Sequence, residues 1–161
     1  ESSALMIKMG RKAKSVDEAR HMAEDAIHTG KALESLKLLV RLQGGDVSYI
    51  DDLAKFPKAP IIRDLYARSD GWLSEINARM VGEASVLLGA GRVTKADSID
   101  HRVGIIVRHK VGDSIKKGMP LFTVHANNEE KLNQAAELLD NACKYSESEV
   151  EKLPQFYGLI E

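Results

Sequence analysis

The sequence predicts an α+β protein, and three observations carry that assignment. Apolar residues recur at helical spacing through the first 45 residues. From Ile61 the texture changes to short runs separated by Gly- and Asp-containing turns. Helical stretches interrupt those runs without the regular strand–helix alternation of a parallel sheet.

In chain order, a short helix through Leu5, Met6 and Met9 is expected to stop at Gly10. Ser15 and Glu18 have capping-box spacing, in which the Ser hydroxyl accepts a free first-turn N–H while the Glu reaches back. The helix they open is expected to run to about Thr29, with Gly30 as a left-handed cap. A third helix carries Leu33, Leu36, Leu39 and Val40 and ends at Gly44-Gly45. Residues 46–60 read as a connector, because Asp51-Asp52 and the pair Pro57 and Pro60 break any period. Strands follow at Ile61–Ala67 and Trp72–Ile76 around the Ser69-Asp70-Gly71 turn. Asn77 is placed to cap a helix whose inner side is Met80, Val81, Ala84, Leu87 and Leu88. Beyond a polar loop to Asp100 come a strand at Val103–Arg108, turns at Gly112-Asp113 and Gly118, and a strand at Leu121–His125. Asn127 with Glu130 again has capping-box spacing, for a helix carrying Leu132, Ala135, Leu139 and Ala142. A last strand is expected at Phe156–Ile160. The organisation is thus a helical segment 1–45, a connector 46–60 and an α+β domain 61–161.

Bulk composition narrows the function classes. The chain has 161 residues, 43% hydrophobic and 29% charged, the profile of a soluble globular protein. A formal charge of -1 gives no general attraction to nucleic acid or anionic membranes, and no basic cluster is interleaved with aromatics. Cys143 is the single cysteine, so neither a disulfide framework nor a Cys-based metal site is available. No run is apolar and long enough to cross a bilayer, and a reducing cytoplasm is the simplest setting. The opening Glu1-Ser2-Ser3 in place of Met hints at a fragment.

Two quasi-similar segments, YARSDGWLSEIN (66–77) and VRHKVGDSIKKGMPLFTVHA (107–126), resemble the barrel-sandwich fold of biotinyl and lipoyl domains. The intervening segment is similar instead to the C-terminal domain of pyrimidine-nucleoside and thymidine phosphorylases. The motifs that carry this resemblance are the Gly71 turn, LLGAGR (87–92), SIDHRVG (98–104), GDSIKKGMPL (112–121) and VHAN (124–127). GRKAKSVDEAR, QGGD and the Pro-Lys connector resemble the end of that family's central α/β domain, and FYGLIE its C-terminal strand. The resemblance implies phosphorolysis: phosphate attacks the anomeric carbon of a pyrimidine nucleoside, releasing the base and a pentose 1-phosphate. It implies phosphate as cosubstrate, a monovalent cation bound upstream, no organic cofactor and a homodimer. The family's phosphate, base and cation motifs have no matching positions here, so no catalytic, cofactor-binding or metal-binding residue is assigned in this chain. The isolated chain is expected to be inactive.

The other reading is a non-enzymatic carrier or interaction module on the same scaffold. A swinging arm needs an accessible lysine at a hairpin tip; the corresponding place holds Asn128, and Lys131 falls inside the expected helix.

Local candidates also have plain structural readings. Gly89-Ala90-Gly91-Arg92 follows a helix, where the dipole is negative, so the loop caps and turns instead of cradling phosphate. Its long polar continuation raises the hypothesis that residues 89–100 approach the enzyme's cleft. His21, Glu24 and His28 share a helix face, read as solvated and not as a metal site. His125 and Asn127 read as local capping groups, and Asp97 and Asp100 as a pair of low specificity. Trp72 reads as packing, Lys110, Lys116 and Lys117 as hairpin charge, and Cys143 as a packed thiol on the last helix.

Overall fold

A computed structural model describes residues 1–92 and 94–158. The chain separates into two compact units, Glu1–Phe56 and Pro57–Glu161.

The first unit holds α1 (Ser2–Met9), α2 (Val16–His28), α3 (Lys31–Leu42), a single turn α4 (Ser48–Asp51) and a 3-10 turn at Leu53–Lys55. Ser15 caps α2 as expected, its hydroxyl accepting the Glu18 N–H at 3.1 Å, while the Glu18 carboxylate reaches back to the Lys14 N–H at 2.7 Å. Gly30 adopts the left-handed conformation, φ 78°, that lets α2 turn directly into α3. Helix α1 packs on α2 and α2 on α3. Within this unit the buried apolar residues are two alanines, Ala4 and Ala19. Leu33, Leu36, Leu38, Leu39 and Leu42 of α3 are all exposed. The span expected as a featureless connector carries the α4 and 3-10 turns, seeded by Asp46 and Asp52, whose carboxylates accept the N–H groups of Ser48 and Ala54.

The second unit is built on two three-stranded antiparallel sheets. The first has the order β1 (Ile61–Tyr66), β5 (Pro120–Ala126), β3 (Gly104–Val107); the second has β4 (Ser114–Ile115), β2 (Gly71–Ile76), β6 (Cys143–Ser146). Successive strands alternate strictly between the two sheets. Asp64 and Ile106 flank Thr123 in the first sheet, and Trp72 lies opposite Ser146 in the second. At Gly71, φ is 146° and a Cβ would stand 2.7 Å from the Ser146 carbonyl oxygen, so strand pairing there demands glycine. Helices α5 (Ala78–Leu88) and α6 (Glu129–Ala142) pack on one another, and α6 also lies on β5. Ala84 and Leu88 from α5, Leu132, Ala135 and Leu139 from α6, Leu73 and Ile115 from the second sheet and Phe122 and Val124 from the first make one buried cluster.

Three local expectations are corrected. Helix α6 is capped by Asn128, which accepts the Lys131 N–H at 2.9 Å; Asn127 is occupied elsewhere. Cys143 begins β6 and does not continue the helix, because Ile76 of β2 offers it a ladder partner. The expected strand at Phe156–Ile160 falls partly outside the described residues, and Phe156–Gly158 carry no strand.

Candidate functional site

The densest polar constellation lies where the connector after α5 meets the corner between β5 and α6. Asn77 caps α5 by accepting the Met80 N–H at 3.2 Å, and Gly89 ends it in a left-handed turn with φ 109°. The backbone N–H of Asp100 donates to the Gly89 carbonyl at 3.0 Å, satisfying an acceptor at the helix end. The Asp100 carboxylate accepts the Arg102 N–H and Nε at 2.9 and 3.0 Å on one oxygen. Its other oxygen accepts Arg102 Nη2 at 2.9 Å and Asn127 Nδ2 at 2.5 Å. The Arg102 side chain, then the Asn127 amide, then the Arg102 N–H hold this carboxyl far below the usual aspartate range. Asp100 is therefore an ionised anchor that fastens the connector to the rigid β5–α6 corner; the arrangement positions a loop and leaves no oxygen poised to take a proton.

Asp97, expected beside Asp100, works separately. Its carboxylate accepts the Thr94 N–H and hydroxyl, both at 2.8 Å, closing a small turn. Gly91 lies so close to α5 that a Cβ would meet Val86 Cγ2 at 2.8 Å. Arg92 is exposed. The Gly89–Arg92 stretch thus caps and turns, as its position after a helix requires.

A second polar line crosses the first sheet. The Thr123 hydroxyl donates to Asp64 Oδ1 at 2.5 Å and accepts from Arg108 Nε and Nη2 at 3.0 and 2.8 Å. Thr123 is 4% exposed, the one buried polar side chain among the described residues. Sequence reasoning missed it, since nothing local links residues 64, 108 and 123. The Asp100–Arg102 pair had a weak signal in its own spacing.

The remaining candidates disperse. His21 uses Nδ1 on the Asp17 carbonyl at 2.8 Å, and both His21 and His28 are exposed. Among the described residues no three His, Cys, Asp or Glu side chains are grouped to hold a metal ion. Trp72 is partly buried in β2, and His125 sits partly buried on β5 opposite Ile62 and Gly104. Lys110, Lys116 and Lys117 are exposed at turns that their backbone N–H groups help to close, on Asp113, Met119 Sδ and Asp70. Burial, then the charge of Asp140, pushes the half-buried Cys143 thiol up to about 11, which keeps it protonated and poorly nucleophilic. The place of a carrier lysine is the α6 cap, with Lys131 inside the helix. No described helix is long and apolar enough to cross a membrane.

Comparison with known proteins bears on these elements directly. Residues 72–146, from β2 to β6, match the pyrimidine nucleoside phosphorylase C-terminal domain. The chain is 46% identical over 136 residues to a pyrimidine-nucleoside phosphorylase of Geobacillus stearothermophilus, covering 84% of this chain and 31% of that protein. It is 45% identical over 148 residues to the enzyme of the same name from Bacillus subtilis, covering 92% of this chain and 34% of the relative. A Staphylococcus haemolyticus enzyme of that name is 41% identical over 139 residues. The chain thus spans about a third of the length of the curated relatives it matches.

Proposed function

Because residues 72–146 match the pyrimidine nucleoside phosphorylase C-terminal domain, we propose that this chain is the C-terminal portion of an enzyme of that family, one that phosphorolyses pyrimidine nucleosides. In that reaction a phosphate oxygen bonds to the anomeric carbon, the glycosidic C–N bond breaks, and the base leaves with the bonding electrons. The observation that carries the reading is the identity of 45% sustained over 92% of the chain. In this reading the two sheets form a barrel-sandwich-like scaffold and serve structure. In the same reading phosphate, nucleoside and a monovalent cation bind on upstream segments of the complete protein. The complete protein is a cytoplasmic homodimer.

The part played by this chain is to hold the connector after α5 at the wall of the cleft. Asp100 fixes one end of that connector to the β5–α6 corner, and Arg92 stands exposed along it. A fixed wall excludes water, which would otherwise compete with phosphate for the electron-poor anomeric carbon.

The test is phosphorolysis of uridine and thymidine, followed by release of the base. The complete protein is expected to turn over and the pure 161-residue chain to be inactive. Turnover by the short chain, or none by the complete protein, refutes the proposal. Arg92→Ala in the complete protein is expected to change kcat or KM, and no change in either would remove the connector from the cleft.

A further inference from the structure

The segment 147–158 lies over the Lys110–Asp113 turn and meets it at Lys152. The turn itself is firm: the Gly112 N–H donates to the Leu73 carbonyl at 2.8 Å, and the Leu73 N–H to the Asp113 carbonyl at 3.0 Å. Gly112 is buried, with φ 87°, and a Cβ on it would stand 2.7 Å from Lys152 Cγ, 2.8 Å from its Cα and 2.9 Å from its N. The backbone of Lys152 therefore rests in a seat that exists because residue 112 has no side chain. Beside the seat, Lys152 Nζ lies 3.1 Å from Asp113 Oδ1. The other Asp113 oxygen accepts the Lys110 N–H at 2.9 Å and has His109 Nδ1 at 3.6 Å.

Beyond the seat the segment grips little. It carries no helix or strand, and Leu153, Phe156 and Tyr157 are 62%, 56% and 82% exposed. Between it and the body runs a groove of roughly 590 Å³, with Ile76, Val107 and Val111 on the body side and Leu153 and Pro154 on the segment side. A mostly irregular stretch held by one glycine seat and one solvent-exposed ion pair has the hallmarks of a low-stability local unit.

We propose that residues 147–158 form a releasable strap, seated on Gly112 and tethered by the Lys152–Asp113 pair, whose release uncovers Ile76 and Val111 beside the already exposed Val107. The seat supplies shape and the pair supplies an attraction that salt weakens. Lys152 is 74% exposed, so at 1 M salt, where screening acts within roughly 3 Å, the tether loses most of its hold. This does not depend on the phosphorolysis reading.

The experiment measures trypsin cleavage after Lys152 in the complete protein at about 0.05 and 1 M salt. Rates are divided by those for a free peptide of residues 147–158, which removes the effect of salt on trypsin. Wild type is expected to be cut several-fold faster at high salt. Asp113→Asn keeps an oxygen for the Lys110 N–H but loses the charge; it is expected to be cut fast at both salt concentrations. Gly112→Ala fills the seat and is expected to be cut several-fold faster at both. A wild-type rate that ignores salt, together with an unchanged rate in Asp113→Asn, overturns the proposal. Should Gly112→Ala lose its native circular dichroism, the Asp113→Asn comparison decides alone.

Discussion

Replacing Thr123 by valine isolates the polar line that crosses the first sheet. Valine has nearly the shape of threonine, so no cavity opens in the buried β5 strand and the change is one of hydrogen bonding. The hydroxyl serves two charged neighbours at once, Asp64 at 2.5 Å and Arg108 at 2.8 and 3.0 Å. Hydrogen bonds to charged groups contribute about 1.5–3 kcal/mol each. Arg108 is exposed and can rehydrate, so most of its share is recovered from water, whereas Asp64 is partly buried and recovers less. The net loss works out at about 1–2 kcal/mol, which for a domain of roughly 100 residues lowers Tm by about 5–15 °C. Urea denaturation followed by Trp72 fluorescence gives the same quantity as a lowered midpoint with unchanged slope. Thr123→Ser, which keeps the hydroxyl, is expected to recover much of the difference. A valine variant as stable as wild type would refute the reasoning and make the three groups a surface coincidence.

Two further outcomes follow from packing and from charge. Leu132 of α6 is fully buried in the core cluster, and Leu132→Ala should cost about 3–4 kcal/mol, read as a fall in the urea midpoint. Asp100 has a depressed folded pKa, so its stabilisation is complete above the ordinary aspartate value of 3.8 and is lost as pH falls below it toward the folded value. Asp100→Asn should therefore be less stable than wild type at about pH 5–7, with the gap narrowing below about pH 4; a gap that stays constant into acid would exclude the carboxylate as its source.

The parts of the fold legible in the sequence are those whose cause is local. Ser15 and Asn77 cap the helices they were expected to cap, Gly30 takes the left-handed conformation, and four strands fall within a residue or two of their expected spans. The illegible parts have distant causes. The pair Ser114–Ile115 is too short to show a period and becomes a strand because β2 offers it partners at Gly71 and Trp72. Cys143–Ser146 has helical neighbours on one side and is drawn into a ladder by residues 72–76, far away in sequence. Asn127 and Asn128 are equally good caps on paper. The cap falls to Asn128, whose oxygen accepts the Lys131 N–H, while Asn127 donates its Nδ2 to Asp100. The same holds for the candidate site: the LLGAGR and SIDHRVG motifs were visible, but that Asp100 ties the second to Gly89 of the first and to Asn127 was not.

The alternation of strands between the two sheets has a consequence for how the second unit is made. In most antiparallel sheets a strand pairs with the next one along the chain, and a hairpin can form early. Here no two consecutive strands share a sheet. As the chain is synthesised, Ile61–Tyr66 waits for Pro120–Ala126, and Gly71–Ile76 waits for Ser114–Ile115 and then for Cys143–Ser146. Such non-local pairing folds slowly and keeps apolar strand faces in water meanwhile. Helices α5 and then α6, which form from local bonds, can shelter part of that surface in the interval. The first sheet can close only once β5 has been made and the second only once β6 has, so unpaired strand faces persist through most of the unit's synthesis.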